Sequence, residues 1–138
     1  MKKTQATSLL VIGTVLNASV FCDVFLETVV RGTDIFGLIM IAGYGVILAV
    51  SVFYRKEVRA RLSGKASMQP VLLMLQPGFV HLLFVWLHQV GMFADAGWLL
   101  SYLILASLAS SFVSGIAGSI ALTHDRSENP QALVGGHP

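Results

Sequence analysis

Residues 34–54 read DIFGLIMIAGYGVILAVSVFY, and no charged side chain lies between Asp34 and Arg55. About 20 such residues in an α-helix rise about 30 Å, the thickness of a bilayer's hydrocarbon core. Apolar and polar positions do not alternate along the run, so it reads as a helix and not as a strand of a membrane barrel. Three further runs have the same character, at about 8–30, 70–93 and 98–123.

The rest of the chain fits around these four runs. Its 138 residues are 55% hydrophobic and 12% charged, about half the charge density of an ordinary soluble domain. Mean hydropathy is +0.77. Two connectors are short, RGTD at 31–34 and ADAG at 94–97, whereas the loop 55–69, RKEVRARLSGKASMQ, holds most of the base. The tail 124–138 is polar and contains Gly and Pro, which predicts a mobile segment. The sequence therefore predicts an all-α, polytopic membrane protein: one transmembrane domain over 1–138, built as a four-helix transmembrane bundle.

The first run opens like a signal peptide, MKKTQATSLLVIGTVLNASVFC at 1–22. Phe21 is bulky where a lipoprotein cleavage site wants a small residue, LNA is a weak peptidase site, and the apolar run continues to Val30. The expectation is a retained first helix. Cys22 is the only cysteine, so no internal disulfide forms, and in an apolar run it reads as a small buried hydrophobe.

Orientation follows from Lys and Arg in the short segments. Lys2, Lys3, Arg55, Lys56, Arg59, Arg61, Lys65 and Arg126 share one side, and Arg31 stands alone on the other. Both termini and the basic loop are thus expected in the cytoplasm, in what reads as a bacterial inner membrane, with Trp98 as an aromatic anchor at the opposite interface. Val58 and Leu62, one turn apart, suggest that the loop begins as a helix beyond Tyr54. Arg55, Lys56, Arg59, Arg61 and Lys65 read either as a solvated topology signal or as contacts to anionic lipid head groups. A net charge of +2 so distributed gives no case for a nucleic-acid partner.

The fourth run carries two adjacent rows of small residues at steps of four, Ser107–Ser111–Gly115–Ser119 and Ala106–Ser110–Ser114–Gly118. Inside lipid, helices associate through close backbone approach and dispersion, which small side chains permit. The rows predict tight packing against a neighbour in the same chain or in a second copy. Gly37, Gly43 and Gly45 point to further close crossings.

The polar residues inside the apolar runs are the candidate site. The first run holds Asp23 and Glu27 one turn apart, bordered by Asn17 and Arg31. The third, QPVLLMLQPGFVHLLFVWLHQVGMF, holds Pro77 and Gly78, a predicted kink that frees the Leu73 carbonyl. His81 and His88 follow two turns apart with Gln89 beside them. Counting rise along the helices puts Asp23 between the two histidines in depth. A carboxylate at mid-membrane costs about 2.5–3.5 kcal/mol on insertion scales, so the acids are expected to turn inward and meet the imidazoles. Three readings stay open. Asp23–His88 or Glu27–Arg31 pairs lock helix register; the cluster handles protons or cations; or the histidines serve haem or metal. Two histidines on one face of one helix cannot take both sides of a haem, so that version requires a second chain. Lipid or quinone contacts near Trp86 and His88 complete the alternatives. His124 and His137 look solvated and lack metal-ligand spacing.

No nucleotide-binding loop, nucleophile elbow or metalloprotease motif occurs, and the loops are too short to hold a soluble active site. In size and helix count the chain is similar to small multidrug resistance transporters and dual-topology fluoride channels. The similarity ends there, because antiparallel dual-topology pairing requires nearly balanced charge. The expected function is a small non-enzymatic membrane subunit without catalytic residues, resident metal or cofactor. It would associate with lipid and with its own copies or other membrane proteins in a transport, secretion or respiratory-type assembly. A proton- or cation-coupled transporter or channel subunit is the alternative, and a haem- or quinone-binding anchor a third.

Overall fold

The computed structural model describes residues 2–95 and 97–128. It is all-helical: α1 Lys3–Arg31, α2 Ile35–Phe53, α3 Arg55–Leu62, α4 Gln69–Gln89 and α5 Trp98–Glu128. All but α3 are long and apolar enough to cross a membrane.

Local chemistry sets the boundaries. Gly32 takes a positive φ of 97°, a conformation glycine adopts without steric cost, and α1 stops there. Two residues on, the Asp34 carboxylate accepts the Gly37 amide at 2.6 Å and caps α2. At Tyr54 the backbone leaves helical geometry (φ −101°, ψ 19°), separating α3 from α2 as an element of its own. Pro70 sits in the first turn of α4, where its missing N–H costs nothing. The expected third helix ran to 93, but α4 ends at Gln89: Gly91 has φ 77° and residues 90–95 turn. The first and fourth helices are longer than expected, by about one turn each, because polar residues at 3–7 and 124–128 continue the helical hydrogen bonding.

Around the molecule, α1 packs on α2 and α4, and α5 packs on α4 and α2. Glycines set the approach. At Gly13 an added Cβ would press on Leu75, at Gly43 on Phe112, and at Gly115 on Pro77 and Ile47. Gly118 comes closest to a neighbouring backbone: an added Cβ would press on the Pro70 carbonyl oxygen and lie 2.7 Å from the Met74 nitrogen. Small residues thus bring α5 onto the backbone of α4, as the fourth run predicts.

The core is gathered at the end of the molecule that carries α3, here the basic end. Leu10, Ile47, Val58, Leu62, Met74 and Leu122 are among its buried residues. Towards the other end, formed by residues 32–34 and 90–95, burial falls away. No residue of α4 beyond Gly78 is buried, and none of α5 before Ser111. The small-residue rows divide accordingly. Ser111, Gly115, Gly118 and Ser119 are covered and Ser114 is half-buried, whereas Ala106, Ser107 and Ser110 are exposed.

Candidate functional site

Asn17 is a polar residue set between the long helices, fully buried on α1. Its amide donates a long hydrogen bond, 3.4 Å, to the Met74 carbonyl of α4. Gly78 makes this fit possible: an added Cβ there would lie 2.9 Å from the Asn17 backbone nitrogen. The expected role of Pro77 and Gly78 changes in detail. α4 runs through Pro77 without a break, the Pro77 ring packs on Gly115, and the carbonyl that Asn17 meets belongs to Met74, one residue past Leu73. Asn17 Oδ1 is buried without a hydrogen-bond partner.

The acids and the imidazoles do not meet within this chain. Asp23 is exposed and takes part in no hydrogen bond or ion pair among the described residues. Glu27 pairs with Arg31 at 3.2 Å, both largely exposed; of the two register-locking pairs expected, this one forms and Asp23–His88 does not. Geometry explains why. Leu16 touches the Gly78 position of α4, and Asp23, seven residues on, returns to within about 20° of Leu16 around the helix. The carboxylate thus sits on the α4-side flank as expected. It is uncovered because α4 buries nothing beyond Gly78. His81 is half-buried; His88 and Gln89 are exposed.

His88 turns instead towards α5. With Phe84 and Phe93 it forms one wall of a cavity of about 450 Å³, and Ser101, Ile104, Leu105 and Leu108 of α5 form the other. The Phe84 and Phe93 rings stand 6.3 Å apart at 36°.

A second polar cluster occupies the basic end, where α3 meets α5. The Arg61 guanidinium donates to the Asp125 carboxylate at 2.9 Å, to Glu57 at 3.4 Å and to the Ser67 carbonyl at 3.2 Å. Arg61 and Glu57 are buried, with side chains 9% and 6% exposed, while Asp125 is half-exposed. Arg61 is therefore neither a solvated charge nor a lipid contact. Arg55, Lys56 and Lys65 are exposed, and Arg59 is half-buried with its Nε unpartnered. Nearby, the Arg126 guanidinium lies 5.0 Å over the Tyr54 ring. The sequence reading missed this cluster, although Glu57 and Arg61 stand at the i, i+4 spacing of a helical ion pair. They also border Val58 and Leu62, both fully buried.

No family model matches the chain, and no curated protein or solved structure matches it. What the site can do thus rests on its chemistry. No three His, Cys, Asp or Glu side chains converge as metal ligands among the described residues. Cys22 is exposed rather than buried, because it lies on the side of α1 turned away from α2 and α4. His124 is exposed, 3.9 Å from the Glu128 carboxylate, and His137 lies outside the described residues.

Proposed function

We propose that the chain is an integral membrane subunit with both termini in the cytoplasm, associating laterally with a second membrane-embedded helix. Asp23 carries this reading. It lies eight residues, about 12 Å, inside the Arg31 end of α1, exposed and unpartnered among the described residues. Facing acyl chains there would cost about 2.5–3.5 kcal/mol. A hydrogen-bond donor or cation from a second copy or another membrane protein removes that cost. The exposed small side chains of Ala106, Ser107 and Ser110 offer a further surface for close helix approach. The subunit so defined is non-enzymatic and serves a transport, secretion or respiratory-type assembly.

A proton- or cation-coupled role is the second reading, favoured by the same free carboxylate. His81 lies about 5 Å deeper on α4: with Asn17 level with Gly78, Asp23 stands six residues beyond that level and His81 three. One variant separates the two. Asp23→Asn is expected to lower the yield of the cross-linked oligomer or of a stoichiometric co-purifying membrane protein. A parent chain that stays monomeric and binds nothing in mild detergent overturns the subunit reading. Equal proton flux into proteoliposomes of parent and variant ends the coupled one.

A further inference from the structure

The cavity between α4 and α5 has a direction. Its polar side chains, His88 and Ser101, sit at the shallow end, one residue from the end of α4 and three from the start of α5. Ile104, Leu105 and Leu108 lie about 4–10 Å deeper along α5, so the lining changes from polar to wholly apolar over two turns. No Lys, Arg, Asp or Glu lines it, which disfavours a phosphate-bearing head group. The Phe84 and Phe93 rings, in contact with each other, line it together with His88, and the volume of about 450 Å³ lies within the range of about 300–1,000 Å³ typical of small-molecule sites. A neutral imidazole supplies both a donor and an acceptor. The Ser101 hydroxyl, bonded to the Gly97 carbonyl at 3.4 Å, keeps its lone pairs free to accept.

We propose that this cavity binds a lipid-soluble quinone or quinol. The uncharged ring packs against the Phe84–Phe93 pair with an oxygen at His88, and the isoprenoid tail runs down Ile104, Leu105 and Leu108. An aromatic pair on one side suits a planar ring, a neutral donor and acceptor suit its oxygens, and the deeper aliphatic wall suits a tail. The site shares only its membrane placement with the lateral association above; Asp23 takes no part in it, so either can fail alone.

The test titrates the detergent-purified full chain with a decyl-substituted benzoquinone and follows quenching of Trp86 and Trp98. Saturable quenching is expected. His88→Phe keeps the ring shape and removes the polar contact, and should weaken half-saturation about tenfold, the loss expected from one hydrogen bond of about 1.4 kcal/mol. Ile104→Phe, which fills the cavity, should abolish saturation, and Leu103→Phe, beside the cavity but not lining it, should leave it unchanged. Helical content by circular dichroism must match the parent for each variant. Unsaturable quenching that tracks detergent partitioning would overturn the assignment. So would equal midpoints in the parent and Ile104→Phe, or equal displacement of the quinone by phosphatidylglycerol, which would make the cavity an ordinary acyl-chain groove.

Discussion

At Gly118 one added methyl group would have to enter the backbone of α4, because an added Cβ falls 2.7 Å from the Met74 nitrogen. Backbone cannot rotate aside as a side chain can, so Gly118→Ala must separate α4 from α5. A cost of about 1–3 kcal/mol is expected, the usual range for overpacking. Gly45 is the contrast. It lies inside α2, where an added Cβ would meet only Phe21, at an ordinary 3.8 Å. Gly45→Ala should therefore stabilise by about 0.5–1 kcal/mol through helix propensity alone. Thermal unfolding followed by circular dichroism in detergent checks both signs. Two destabilised variants would mean that glycines here serve only general flexibility, and two stabilised ones that the α4–α5 approach is looser than the contacts at Gly118 indicate. Asn17 obeys the same logic, since it is seated on Gly78 and no larger side chain at 78 would leave it room.

Among the elements, α3 makes the least sense on propensity alone, with eight residues and four basic side chains. It is held by burial of Val58 and Leu62 and by Arg61 reaching across to Asp125 on α5. Removing Arg61 leaves Glu57 buried and uncompensated, so Arg61→Met should cost about 3–5 kcal/mol. Asp125→Asn, at a half-exposed partner, should cost no more than about 1 kcal/mol. The double variant Glu57→Leu, Arg61→Met should recover most of the loss, because no buried lone charge remains and Asp125 is half-exposed to solvent. Chemical denaturation of the parent, these three variants and Glu57→Leu alone reads the pattern; additive losses from Glu57→Leu and Arg61→Met would show that the pair is not coupled. This helix also marks where sequence reading stops. The four long helices were legible because an apolar run of span length with few charges has few alternatives, and α3 was half legible from Val58 and Leu62. The Arg61 partner was not, since Asp125 is 64 positions away and only the crossing of α4 and α5 brings it near. The candidate site divides likewise. Asp23, Glu27 and their shared flank follow from helical period, but whether α4 covers that flank depends on where the helices diverge. No pattern within one helix encodes that. His88 and His81 share a face of α4 by helical period; that His88 lines a cavity with α5, on the side where the Pro77 ring meets Gly115, no pattern within α4 encodes.

For the whole molecule, the uneven packing and the uneven charge coincide. The basic end holds the buried core and α3, every Lys and Arg of the sequence except Arg31 belongs to segments on that side, and the opposite end carries exposed Trp98 and Tyr102. In a membrane this fixes one orientation, since moving the basic end across would drag five loop cations through hydrocarbon, each costing about 2.5–3.5 kcal/mol at the centre. Single-cysteine variants test it in a Cys22→Ser background. Ala66→Cys, in the exposed connector after α3, should react with a membrane-impermeant maleimide only after the cytoplasmic face is opened. Thr33→Cys, in the exposed turn between α1 and α2, should react in intact cells whose outer envelope has been permeabilised. Native Cys22 is exposed on α1 but lies nine residues, about 13 Å, inside its Arg31 end. It should resist the same reagent from both sides and yield only to a lipid-soluble one. Labelling of Ala66→Cys in intact cells, or ready labelling of Cys22 by the impermeant reagent, would remove the membrane placement. The cost assigned to Asp23 and the direction assigned to the α4–α5 cavity both depend on that placement.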